Sequence, residues 1–138
     1  MGFDPIFFGV DGMDGILTLE EFDTSLAEGV MLLTPFAADA EDEATQNFVK
    51  AYKDAHGETP NQFAADAYDA IYVIKAAAEK AGITADMSVS DMCEAMKTAM
   101  TEITMDGLTG SSITWDAEGE PSKEPKAVII TDGAYKAM

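Results

Sequence analysis

The sequence predicts an α/β protein in which a sheet is covered by helices. Short apolar runs of strand length alternate with longer segments whose apolar residues recur with a period of 3.6. Glycines and prolines fall at the ends of these segments, where turns are expected. The chain of 138 residues is 47% hydrophobic, which suits one domain or a piece of a larger one.

A strand, a helix and a second strand are expected first. The apolar run IFFGV at 6–10 predicts a buried strand, and VMLLT at 30–34 predicts another. Between them, Thr18 is expected to cap a helix that extends to Ala27, because its side chain can accept a hydrogen bond from the first turn. Gly29 then suits the left-handed position that follows a helix.

Two helices follow a polar connector. The first covers TQNFVKAYKDAH and stops at Gly57. The second begins after Thr59, the expected N-cap, and stops at Gly82. Its expected buried face consists of residues that keep the helical period: Ala64, Ala67, Tyr68, Ile71, Ile74 and Ala78.

The last third of the chain predicts one more helix and two strands. Ser88 and Asp91 form a capping box for the helix, and Cys93 is expected in its methionine-rich core face. LTGSSITWD then has strand alternation. KAVIITDGAYKAM predicts a final strand, with a turn possible at Asp132-Gly133.

The composition argues against several classes of function. The net charge of −18, from 8 basic and 26 acidic residues, disfavours binding to nucleic acid or to an anionic membrane surface. No spacing of His and Cys indicates zinc, and GLTGSS lacks the Gly-Lys-Ser/Thr ending of a phosphate-binding loop. No catalytic residue, metal ligand or cofactor is predicted. A small α/β enzyme of unidentified chemistry is kept as an alternative.

The stretch VDGMDGILTLEEF at 10–22 raises a calcium hypothesis. With Asp14 and Gly15 at positions 5 and 6, its second half matches an EF-hand loop. However, Val10 and Gly12 then occupy positions 1 and 3, where neither side chain supplies an oxygen. The preceding residues also predict a strand instead of an entering helix. An EF-hand-like module at 10–22 is therefore kept only as an alternative.

Asp11 invites a second interpretation of the same loop. A carboxylate directly after a strand lies at the edge of the sheet where α/β proteins bind ligands. There it could neutralise a ligand ammonium group through short, charge-assisted hydrogen bonds. The spacing alone favours the other interpretation, that Asp11 only caps the loop or the next helix.

Several stretches together resemble one known family. The chain is similar to the C-terminal portion of type I extracytoplasmic solute-binding proteins, the branched-chain amino acid (Leu/Ile/Val) branch of ABC importers. The stretches are FFGVDGMDG, AEGVMLLTPFAADA, FVKAYKDAHGETPNQFAADAYDAIYVIKAA, DGLTGSSITWDAEGEP and VIITDG.

The resemblance implies an incomplete type I periplasmic-binding-protein fold, a fragment with parts of two Rossmann-like three-layer lobes. Residues 1–36 would belong to the second lobe and 37–123 to the first lobe, and 124–138 would return to the second. The missing parts would lie upstream, so the isolated chain is expected to bind its ligand weakly. Its unpartnered strands are expected to promote self-association or strand swapping.

The resemblance also implies a non-catalytic function and a site. The intact protein would bind a branched-chain or related amino acid by lobe closure, outside the cytoplasmic membrane, and deliver it to ABC permease subunits. It would be a periplasmic protein or a membrane-anchored lipoprotein. Asp11 would hold the ligand ammonium group, with Met13 and Phe63 at the ligand. Asp66 and Asp69 flank the start of the same helix and could be caps or cleft residues, of which helix caps are favoured.

Overall fold

The computed structural model describes residues 5–138, which form two compact units. Of the described residues, the first unit comprises 5–65 and Pro125–Met138, and the second comprises Asp66–Glu124. The predicted division of the chain between two lobes stays a prediction, and its first four residues lie outside the described part.

The first unit contains a mixed four-stranded sheet. The strands are β1 (Phe8–Gly9), β2 (Met31–Thr34), β3 (Lys126–Thr131) and β4 (Ala134–Ala137), in the spatial order β1-β2-β3-β4. β1 is parallel to β2, whereas β2 with β3 and β3 with β4 are antiparallel. The core of this unit is built on β2 and β3: Ala27, Val30, Leu32, Ala37, Val128 and Ile130.

The prediction of a buried strand at 6–10 was wrong in length and in burial. Only two residues pair with β2, and of the whole run only Gly9 is buried. A larger residue at position 9 would displace neighbouring side chains, because an added Cβ would meet the sulfur of Met13 and would lie 2.8 Å from Cδ2 of Leu32. The apolar side chains of the run have no covering layer, which a parallel strand normally requires.

The predicted helix from Thr18 to Ala27 was also wrong. This segment forms short 3₁₀ turns at Ile16–Thr18 and Thr24–Ala27. Thr18 ends the first turn, where its hydroxyl donates to the Gly15 carbonyl at 2.8 Å. Local side-chain hydrogen bonds of this kind compete with a helix. Gly29 has a φ of 78°, as predicted.

The two predicted helices after the connector are confirmed. α1 (Glu43–His56) is capped by Asp42, whose side chain accepts from Thr45 N at 2.8 Å, and that backbone hydrogen bond lowers the pKa of Asp42. α2 spans Gln62–Ala81. The predicted N-cap of α2 was wrong: Asn61 takes this position, and its Oδ1 accepts from Ala64 N at 3.2 Å.

The predicted buried face of α2 does not match the structure. Tyr68, Ile71 and Ile74 are exposed, whereas the buried positions are Gln62, Ala65, Asp69, Val73 and Ala77. Two of these five are polar, so hydrophobic periodicity could not find them. These two polar residues, Gln62 and Asp69, each have hydrogen-bond partners that the sequence pattern does not reveal.

The last predicted helix is confirmed as α3 (Val89–Met100), with Ser88 as its N-cap. Ser88 Oγ accepts from Asp91 N at 3.1 Å, which confirms the N-cap half of the capping box, whereas the Asp91 carboxylate accepts from the Ser88 hydroxyl at 2.7 Å instead of from its backbone N–H. Cys93 was expected in the core but is exposed. The methionine-rich stripe is only half-buried, and Ala99 is the buried residue of this helix.

The C-terminal strand prediction is confirmed and extended into a hairpin. Asp132 and Gly133 join β3 to β4, with φ values of 54° and 69°. By contrast, LTGSSITWD forms isolated bridges, Met105 with Ile113 and Trp115 with Pro121, instead of a continuous strand.

Candidate functional site

The loop after β1 is fixed by Asp14. Its Oδ1 accepts from Gly15 N at 2.8 Å, and its Oδ2 accepts from Gln62 N at 2.7 Å. The second bond joins this loop to the first turn of α2. Asp14 is thus engaged on both oxygens in holding the backbone. In addition, residues 10–22 lack the helix on either side that an EF-hand requires.

Gln62 is the centre of the site and is 1% exposed. Its side-chain nitrogen donates to the Asp11 carbonyl at 2.6 Å, and its side-chain oxygen accepts from the Thr34 hydroxyl at 3.2 Å. Thr34 ends β2, and Asp11 follows β1. One buried amide therefore joins the carboxyl ends of two parallel neighbouring strands, the edge at which α/β proteins bind ligands.

The side chain of Asp11 is exposed at this edge. Its backbone carbonyl is held by Gln62, but within residues 5–138 its carboxylate has no hydrogen bond or ion pair. The main chain is therefore fixed while the charge stays available. A carboxylate in this state can accept hydrogen bonds from a cation without first breaking another interaction.

Phe63 adjoins Gln62 and is 50% exposed. Phe63 thus follows, along α2, the residue whose side chain holds the Asp11 carbonyl. Met13 differs, because its half-buried side chain packs against the core cluster and fills the space beside Gly9. The roles of Asp11, Met13 and Phe63 at a ligand stay predictions.

Tyr135 of β4 supports the same loop from the other side. Its hydroxyl oxygen accepts from Gly15 N at 3.0 Å. Burial raises the pKa of Tyr135, and the nearby charge of Asp14 acts in the same direction, although the hydrogen bond from Gly15 opposes them. The neutral phenol is thus the form that the folded unit prefers.

This preference predicts a loss of stability in alkaline solution. Because the pKa of Tyr135 is higher in the folded than in the unfolded state, its contribution is complete below the ordinary tyrosine pKa of about 10 and falls as the pH rises through the folded pKa. Urea unfolding of Tyr135→Phe should therefore depend less steeply on pH above about 10 than that of the wild type. Equal slopes would contradict the prediction.

The two acidic residues expected as caps of α2 have other partners, both within the second unit. Asp66 forms an ion pair with Lys123, at 2.8 Å between Oδ1 and Nζ. Asp69 is 4% exposed and accepts from the backbone N–H groups of Leu108 and Thr109, each at 2.9 Å, and from the Thr109 hydroxyl at 2.7 Å. The expectation of helix capping was therefore wrong for both.

Sequence reasoning missed the residues that organise the site. Gln62 and Tyr135 were not selected, since their partners lie 51 and 120 residues away along the chain. The one available signal was a glutamine in the first turn of a helix otherwise rich in alanine and aromatic residues. In the described residues 5–138, no group of three or more His, Cys, Asp or Glu residues is placed to hold a metal ion.

The fold agrees with comparisons to known proteins. A family model described as periplasmic binding protein matches residues 3–133. The chain therefore belongs to the periplasmic binding protein family, and it has part of the type I fold of that family. A search of curated protein sequences finds no match.

Three solved structures illustrate the similarity. The leucine binding protein LivK from Thermotoga maritima is 25% identical, with a TM-score of 0.77 over 99% of this chain. LivJ from Streptococcus pneumoniae, in complex with isoleucine, is 20% identical with a TM-score of 0.75 over 99%. A solute binding protein from R. palustris, in complex with benzoate, is 18% identical with a TM-score of 0.71 over 91%.

The chain spans 37%, 38% and 32% of the lengths of these three structures. It therefore corresponds to about a third of each of these structures. Among the residues described, none of the helices has the length and hydrophobicity needed to cross a membrane.

Proposed function

We propose that this chain contributes the ammonium-binding part of an amino acid site, in a binding component of an ABC import system. The observation that carries the proposal is the Asp11 carboxylate, which is exposed and unpaired within residues 5–138 while its backbone is held by a buried glutamine. The protein would act without catalysis, outside the cytoplasmic membrane, and would deliver its ligand to permease subunits. It would be either periplasmic or anchored as a lipoprotein.

The proposed ligand is a branched-chain or related amino acid. Asp11 neutralises its ammonium group, and Phe63 contacts its side chain. Support comes from the solved structures of LivK, named a leucine binding protein, and of LivJ in complex with isoleucine. Each methylene that fits an apolar pocket would add roughly 1–3 kcal/mol of discrimination.

A carboxylate ligand without an ammonium group is the second candidate. The structure from R. palustris is in complex with benzoate, which carries no cation. An unpaired carboxylate would repel such a ligand unless another positive group were present. Within this chain, the exposed charge of Asp11 therefore favours the amino acid.

Leucine binding can be tested by NMR titration of the isolated chain. Because the chain spans about 37% of the related LivK structure, we expect weak binding, with amide shifts that saturate only at millimolar leucine. The affected amides should be those of residues 11–15 and Phe63. The matched probe is 4-methylpentanoate, which has the leucine side chain and carboxylate but lacks the ammonium group.

The variant Asp11→Asn should weaken leucine binding about 10- to 100-fold, the equivalent of one charged hydrogen bond of roughly 1.5–3 kcal/mol. Glu20→Gln, an exposed change of the same type in the same segment, is the control and should bind as the wild type does. Micromolar leucine binding by this chain would contradict the expectation of a weak site. Equal shifts with leucine, benzoate and 4-methylpentanoate would contradict the role of Asp11.

A further inference from the structure

Aspartate followed by glycine is the dipeptide at which protein chains isomerise most readily, and this sequence contains it four times. The pairs begin at Asp11, Asp14, Asp106 and Asp132. We propose that Asp11-Gly12 is a site of isoaspartate formation and that the fold protects the other three pairs. The modification is a property of the chain alone, and only its suppression by a ligand rests on the proposed function.

The reaction uses only the chain and water. The glycine nitrogen attacks Cγ of the neutral aspartic acid, so that a C–N bond forms and a C–O bond breaks. One water molecule leaves, made from the carboxyl hydroxyl and the proton of the nitrogen. Water then opens the resulting succinimide ring at either carbonyl and restores aspartate or gives isoaspartate. Glycine suits the attack because it has no Cβ and allows the backbone to rotate. A hydrogen bond that holds the glycine N–H or the carboxyl group opposes that rotation.

Hydrogen bonds hold both reacting groups of the pair that begins at Asp14. Gly15 N donates to Asp14 Oδ1 at 2.8 Å and to the Tyr135 hydroxyl at 3.0 Å. The edge of this amide, and not its face, is therefore directed at the carboxyl group. The second oxygen of Asp14 accepts from Gln62 N at 2.7 Å, which fixes the carboxyl group as well. Attack would require that these bonds break.

The two pairs in the second half of the chain are held in a similar way. In the turn between β3 and β4, Gly133 N donates to the carboxylate of Glu28 at 2.6 Å. Gly107 N donates to a backbone carbonyl at 2.9 Å. The Asp106 carboxylate, in addition, accepts from Ser112 N at 2.7 Å. The glycine amide is therefore engaged in both pairs.

Asp11-Gly12 differs because both of its reacting groups are free in the described part of the chain. Both residues are exposed, and neither the Asp11 carboxylate nor the Gly12 N–H has a hydrogen-bond partner there. A Cβ built on Gly12 would have no atom within 4 Å, so the surroundings of this peptide are open. The Asp11 carbonyl is held by Gln62 Nε2 at 2.6 Å, which slows the rotation but leaves both reacting groups accessible.

Isomerisation would change the group that the proposed site uses. In isoaspartate the main chain runs through the former side-chain carbons, and the free carboxylate is attached directly to Cα, one carbon nearer to the backbone. The carboxylate at position 11 would then be displaced from the position at which it binds an ammonium group, so modified molecules should not bind leucine. Conversely, a ligand ammonium group that keeps the carboxylate charged and engaged would slow the attack.

The first test compares the four pairs within one sample. The chain is kept for several weeks at body temperature and mildly acidic pH in heavy-oxygen water, which labels the residue each time a succinimide is hydrolysed. Peptide mapping with electron-transfer fragmentation then gives the label and the isoaspartate fraction at each position. Both should rise severalfold faster at Asp11 than at Asp14, Asp106 or Asp132. Similar rates at all four positions, or a faster rate at another one, would overturn the proposal.

Two variants and a denaturant test the physical reason. Gly12→Ala should slow the reaction at Asp11 severalfold without loss of stability, because the added Cβ meets no atom within 4 Å. Glu28→Ala frees the N–H of Gly133 and should raise isomerisation at Asp132, while the rate at Asp11 stays unchanged. In guanidinium chloride, where the fold is lost, the four rates should converge. A ranking that is the same in the folded and the unfolded chain would show that the fold does not select Asp11, and the proposal would be wrong.

Leucine separates this proposal from the proposed function. Millimolar leucine should slow isomerisation at Asp11 and leave the other three pairs unchanged, whereas 4-methylpentanoate, which lacks the ammonium group, should have no effect. Isomerisation at Asp11 that leucine does not slow would support the modification and contradict the role of Asp11 in binding an ammonium group. Leucine binding by a chain that does not isomerise at Asp11 would overturn the modification alone.

Discussion

Replacing Asp69 by alanine is expected to lower the free energy of unfolding of the second unit by about 3–5 kcal/mol. The change removes a buried carboxylate that accepts three hydrogen bonds, two from the backbone of residues 108–109 and one from the Thr109 hydroxyl. Leu108 and Thr109 are both buried, so water cannot replace the lost acceptor. Each donor left unsatisfied costs about 1–3 kcal/mol.

The effect of Asp69→Ala can be measured by urea unfolding followed through the fluorescence of Trp115, which lies in the same unit. The midpoint should fall by about 2 M if the slope is near 2 kcal/mol per molar urea. Asp69→Asn keeps one acceptor oxygen and should fall between the alanine variant and the wild type. Glu79→Ala, on the exposed side of the same helix, should change stability by less than about 0.5 kcal/mol. A loss below 1 kcal/mol in Asp69→Ala would show that the loop has other support.

Replacing Gln62 by leucine is expected to destabilise the first unit by about 2–3 kcal/mol. Leucine has nearly the volume of glutamine but cannot donate to the Asp11 carbonyl or accept from the Thr34 hydroxyl. Thr34 keeps its bond to the Phe36 carbonyl at 3.0 Å, so the main loss is at Asp11. The loop after β1 should then become more mobile than the rest of the sheet.

Hydrogen exchange distinguishes this local effect from general destabilisation. In Gln62→Leu, the amides of Met13 to Gly15 should exchange faster than those of β3, beyond what the change in global stability explains. The control is Gln46→Leu on α1, where the amide donates to the Ala40 carbonyl at an exposed position. It should cost less than about 1 kcal/mol and leave the loop unchanged. Uniform acceleration across the sheet would contradict a specific role of Gln62 in holding the loop.

The sequence predicted the elements whose determinants are local. α1 and α3 were found from periodicity and caps, and the turn at Asp132-Gly133 was found from its residue types. The helix expected at 18–27 failed because Thr18 and Asp23 bond to nearby backbone groups and stabilise 3₁₀ turns. Helix propensities do not account for these local hydrogen bonds, which favour 3₁₀ turns over a continuous helix.

The residues that organise the loop after β1 were not predicted, for a related reason. Asp11, Met13 and Phe63 were selected through a family resemblance, and their roles at a ligand stay predictions. Gln62 itself and Asp69 lie on the buried side of α2, where a pattern of apolar residues cannot reveal them. Their hydrogen-bond partners lie 51 and 39 positions away along the chain. Such partners come together only in the folded protein, so the sequence pattern does not identify these two residues.

The order of the strands has a consequence for synthesis on the ribosome. β3 lies between β2 and β4, and its residue Ile129 pairs with Met31. The sheet of the first unit therefore cannot close until nearly 100 further residues have been translated, which takes about 5–20 s at typical elongation rates. During that interval the apolar segment of β2 emerges without its β3 partner, so this nascent chain should depend on chaperones that shield it until β3 is translated.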